Sequence, residues 1–162
     1  MLTYNQNQLV EMAVNAKVDH PRVKGYRGGF DGRARITVAT GGITYSHAIG
    51  DCCMHIAGDH VEPGVSMANP NPDENMAVET FSCIGNPVYC LSGPAAGAKG
   101  YVTGTHGGIE HTMAYFKAED LERMEGNENF LIRTYGQGLK VDQTPDVFWM
   151  NIDPRLLSVM NV

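Results

Sequence analysis

The chain has 162 residues, 43% of them apolar, with a formal charge of −6 and a pI near 5.4. That length suits one domain over 1–162 around one core, and no window holds the ~18 unbroken apolar residues of a membrane span. The acidic balance repels a phosphate backbone, so neither nucleic acid nor a membrane is expected as a partner. The opening Met1-Leu2-Thr3-Tyr4-Asn5 lacks the basic and apolar regions of a secretory signal, which points to a cytoplasmic address.

In chain order, Met12, Val14, Ala16 and Val18 alternate with polar or small residues, the period of a half-buried strand that His20-Pro21 stops. A second strand over Arg35–Ala39 is reached through an Asp31-Gly32 hairpin turn. Arg22, Lys24, Arg27, Arg33 and Arg35 are spread through the glycines of this region, as in a solvated hairpin. From Gly41 to Asn75, Gly and Pro recur so closely that no long element is expected. Beyond it, Ala77–Cys83, Val88–Leu91, Tyr101–Thr103 and Ile109–Phe116 read as short strands between glycine-rich turns. Ala118–Met124 predicts a short helix ended by Gly126, Asn129–Tyr135 a strand, and Val147–Met150 a buried strand. Asp153 stands as an N-cap before Pro154, with Leu156, Leu157 and Met160 on the apolar side of a last helix. The fold class is mostly β, a barrel or sandwich with two or three short helices.

Cys52, Cys53, Cys83 and Cys90 form no CxxC pair, and a chain of this size needs no disulfide staple, so reduced, buried thiols are expected. The segment Ser92–Gly100 is glycine-rich, yet it lacks the order of a phosphate loop and leads into a strand rather than a helix.

Chemistry concentrates in the histidines. Five of the six fall in two acid-rich stretches, His47–Glu62 and His106–His111. Imidazole and carboxylate together suit Zn, Mn or Fe, and such sites draw ligands from separate segments. His60, Glu62, His106 and His111 are the candidate ligands, and Asp59 and Glu110 the candidate bases. No HExxH or HxxEH motif is matched. The same groups can also do acid–base work without metal, and Cys52 or Cys53 beside His55 is a third arrangement with nucleophilic chemistry. Gly41-Gly42-Ile43 is echoed by Gly107-Gly108-Ile109, which would fit two related halves.

Over Gly41–Tyr45, Ala57–Ser66, Ser82–Asn86, Gly104–His111, Tyr135–Leu139 and Asn151–Pro154, the sequence resembles a bacterial family of unknown function with a rift-related barrel. The resemblance runs over nearly the whole chain and implies a small rift-like, cradle-loop type β-barrel. Its members carry a second domain, so this chain resembles their N-terminal barrel. The family supplies no catalytic residues, and the site above rests on residue chemistry alone.

Two readings follow. One is a small-molecule enzyme subunit, with metal-assisted hydrolysis of an amide-like bond at a His/Asp/Glu site on the barrel rim. The other is a non-catalytic barrel that binds or builds a larger assembly, and the long loop from Gly58 to Asn75 favours a homo-oligomer or a subunit of a hetero-oligomer to cover its backbone.

Overall fold

The computed structural model describes residues 2–23, 25–36, 39–45, 62–107 and 110–160. The alternating run becomes β1 (Glu11–Val18), with Val14, Ala16 and Val18 turned inward. Met12 stays exposed at the start of the strand. β2 (Arg22–Val23) is followed by β3 (Tyr26–Gly28) and β4 (Ala34–Ile36), which pair with each other through the expected Asp31-Gly32 turn. β5 (Ala39–Thr40) pairs with β2, and β6 (Ile43–Thr44) with β7 (Gly64–Ala68). Next come α1 (Pro72–Phe81), β8 (Pro87–Cys90), β9 (Lys99–His106), β10 (His111–Tyr115), α2 (Ala118–Leu121) and β11 (Asn129–Tyr135).

The main sheet runs β1-β11-β8-β9-β10-β7, and β7 pairs back onto β1 through Lys17↔Ala68 and Val18↔Met67. The result is a closed antiparallel barrel of six strands with β6 added to β7. Closure leaves few open edges, which short strands between glycine turns can achieve without long connections. Val65, Met67, Val88, Val102, Phe116, Phe130 and Ile132 fill the interior, with the Phe116 and Phe130 rings 5.7 Å apart. A smaller cluster of Leu139, Val141 and Leu157 packs with Leu2, Tyr4, Leu9, Trp149 and Ile152 outside the barrel.

Three local expectations need correction. The Gly41–Asn75 region and the strand expected over Ala77–Cys83 contain the ten-residue helix α1 instead. Asn71 caps it, its side chain accepting from the Asp73 and Glu74 amides at 3.0 and 3.3 Å, and Pro72 takes the first turn. The prolines that looked like breakers are thus a start signal. Beside the cap, the Asn69 amide donates to Asn75 Oδ1 and the Asn69 side chain donates to the Asn15 carbonyl. Val147–Met150 is not a buried strand. Consecutive turns from Val141 to Val147 consume the backbone, and Val147, Phe148 and Met150 are exposed.

The last helix forms as a 3-10 turn over Pro154–Ser158, with the Asp153 side chain accepting from the Arg155 amide. In the Ser92–Gly100 segment the Ala96, Gly97 and Ala98 amides donate to Gly93, Cys90 and Ala95 carbonyls, so they are not free to cradle a phosphate. Among the described residues, no helix is long and apolar enough to cross a membrane.

Candidate active site at one end of the barrel

The centre of the site is the His111 side chain, fully buried where β10 begins. It is the cross-strand neighbour of His106 at the end of β9, and the two rings lie 5.6 Å apart. Glu62 comes from the segment just before β7. Its Oε2 lies 2.7 Å from His111 Nε2, and its Oε1 lies 3.7 Å from His106 Nε2. On the other side of the imidazole, Asp19 Oδ2 lies 3.1 Å from His111 Nδ1. Asp19 follows the last residue of β1, and its Oδ1 takes Arg22 Nη2 at 2.5 Å.

Two glycines make this assembly sterically feasible. Gly41 and Gly42 both take positive φ, and a Cβ on Gly41 would sit 2.7 Å from the Asp19 carbonyl oxygen. Only a glycine lets this turn pass so close under the end of β1. The approach brings the Gly41 amide onto Glu62 Oε2 at 3.0 Å, where the Ser66 hydroxyl also donates at 2.8 Å.

Charge alternates along the row Arg22, Asp19, His111, Glu62. Burial pushes the Glu62 carboxyl up, but His111, the Gly41 amide and the Ser66 hydroxyl outweigh it and bring the pKa down to about 2. Burial pushes His111 down, yet the contacts with Glu62 and Asp19 together raise it above the ordinary imidazole value. The imidazolium therefore serves as a fixed positive pivot between two carboxylates, a balanced arrangement in which neither buried charge lacks a partner.

Glu62, His106 and His111, three of the residues singled out from the sequence, thus meet in space, and the two histidine-rich stretches join through Glu62. Glu110 stands apart from them. It adopts φ 63, its carbonyl accepts from Asn75 Nδ2 at 2.7 Å, and its side chain is exposed. Together with Asp19, Lys17, His20 and Arg22 it lines a pocket of about 490 Å³, so Asp19 connects that pocket to the buried His111. Burial and the charge of Glu110 raise the neighbouring Glu79 carboxyl. Asp59, His60, His47, His55, Cys52, Cys53, and Gly108 and Ile109 of the echoed turn lie outside the described residues. Among the described residues, no group of three or more His, Cys, Asp or Glu is arranged to hold a metal ion.

Asp19, Ser66 and Gly41 escape a reading of the sequence. Asp19 lies 92 positions from His111, and only its place just beyond an inward-facing strand end hinted at a role. Cys83 and Cys90 are buried free thiols, as expected; burial and Asp153 push Cys83 up to about 11, which makes it a poor nucleophile.

The family model described as "Domain of unknown function (DUF4438), N-terminal" matches residues 26–158. The chain belongs to the DUF4438 N-terminal domain family. It is also similar to the crystal structure of TM1086, at 39% identity and a TM-score of 0.88, over 98% of this chain and 56% of that one. This DUF4438 domain therefore spans little more than half the length of that relative. No curated protein matches it. The match over 26–158 takes in Glu62, His106 and His111 but begins after Asp19.

Proposed function

We propose that the chain is a small-molecule enzyme subunit whose acid–base centre is His106, oriented by Glu62. The carrying observation is the Glu62 carboxylate, locked on Oε2 by His111, Ser66 and Gly41 and left with Oε1 facing the partly open His106. A carboxylate fixed behind an imidazole can orient the ring for proton transfer. In hydrolysis of an amide-like bond, His106 takes a proton from the attacking water as the water oxygen bonds to the carbonyl carbon. It then returns that proton to the leaving nitrogen as the C–N bond breaks.

A metal-assisted form of the same reaction uses Glu62 and His106 as ligands, joined by His60, with Asp59 as base, since Glu110 stands apart. The 3.7 Å between Glu62 Oε1 and His106 Nε2 favours it, since two donors each about 2 Å from one ion fit that separation. His111, with a carboxylate at each ring nitrogen, supports this site rather than ligating within it.

The test is hydrolysis of a panel of small amides, N-acyl amino acids and cyclic imides, with and without Zn²⁺, Mn²⁺ or Fe²⁺. Turnover should fall by about 100-fold or more in His106→Asn and in Glu62→Gln. Metal dependence, with metal found by elemental analysis of untagged protein, selects the metal form. No turnover across the panel, or turnover that both variants retain, returns the chain to the non-catalytic reading.

A further inference from the structure

We infer that the β3–β4 hairpin of one copy docks into an apolar, acid-rimmed cup on a second copy of this chain. Among the described residues the hairpin pairs only with itself, and two of its aromatic side chains stand open: Phe30 at the tip is 112% exposed and Tyr26 68%. Arg27 and Arg33 flank them in solvent; Arg27 donates to the Tyr26 carbonyl, and Arg33 stays 3.9 Å from Asp31 within the same turn. An aromatic tip between arginines is the composition of an interface anchor, not of an ordinary turn.

The receiving surface is a concavity of about 610 Å³ walled by Leu139, Val141, Val147, Phe148 and Met150. That volume lies in the range of pockets that enclose a whole small ligand, so an aromatic side chain and its flanks fit inside. Phe148 is 94% exposed and Met150 74%. A contiguous apolar patch of this kind on a soluble chain marks an interaction site.

Charge decides the occupant. Asp142 stands on the wall and Asp146 between two wall residues, neither with a cationic partner among the described residues, against the single cation Lys140. An acidic rim around an apolar floor complements a basic hairpin with an apolar tip. In a chain of net charge −6, the hairpin supplies the cations that a second copy otherwise lacks at this contact.

Sedimentation equilibrium and light scattering across a micromolar dilution series, with circular dichroism to confirm folding, test the contact. The chain should assemble, Phe148→Glu and Phe30→Ser should each weaken assembly by at least about tenfold in Kd, and added salt should weaken it further. Arg27→Asp with Arg33→Asp, and separately Asp142→Arg with Asp146→Arg, should each give monomers. Mixed in equal amounts, these two charge-reversed chains should assemble, because each hairpin then meets a rim of opposite sign. A monomer at every dilution overturns the inference and leaves the cup to a domain such as the remaining part of TM1086. Assembly indifferent to both reversals, or reversals that mixing does not rescue, overturns it as well.

Discussion

Glu62→Gln keeps the shape of the side chain and its acceptor for the Gly41 amide and Ser66 hydroxyl, but removes the charge that faces His111. A carboxyl brought from 4.5 to about 2 in the folded chain is held charged by roughly 3 kcal/mol at neutral pH. Its side chain is only 2% exposed, so solvent screens little of this. Because the folded pKa is depressed, the contribution is fully present above pH 4.5 and is lost as pH falls from 4.5 towards 2. By pH 3 a little under half of it survives. Urea unfolding followed by circular dichroism should therefore place Glu62→Gln about 3 kcal/mol below the parent at pH 7 and about half that at pH 3. The raised His111 acts in the opposite sense. Its contribution is complete below pH 6.5 and is lost as pH rises through the folded value, so the parent is most stable between these limits. A gap of equal size at pH 7 and pH 3, or one under about 1 kcal/mol at pH 7, would refute the charge-row account.

Gly64→Ala should cost at least about 3 kcal/mol and lower Tm by roughly 10 °C, since Gly64 has φ +78 and its new Cβ would collide with the Ala114 carbonyl oxygen where β7 meets β10. Gly138→Ala, at φ +80 with open space around it, should cost only about 1 kcal/mol, and a similar loss at both positions in thermal melts would deny the close approach. Asn71→Ala should lose about 1 kcal/mol in urea midpoints through the missing cap. It should also speed amide exchange over the first turn of α1, which carries the Asn75 that holds Glu110.

The sequence by itself determined the β character, the hairpin at Asp31-Gly32, the strand from Asn129 to Tyr135 and the Asp153 cap, because each rests on neighbours a few positions apart. It also picked out Glu62, His106 and His111, since imidazole and carboxylate carry chemistry wherever they lie. What it could not determine was closure. Pairing β7 back onto β1 brings the end of β1 beside the end of β7 and the start of β10, and only that puts Asp19 against His111. The same closure leaves few edges to join, and Val147–Met150, an apolar run that locally looks like a buried strand, ends on the surface. Helix α1 lies between these cases. Its cap was written in Asn71-Pro72-Asp73-Glu74, but the bond from its Asn75 side chain to the Glu110 carbonyl joins segments that only the folded barrel brings together.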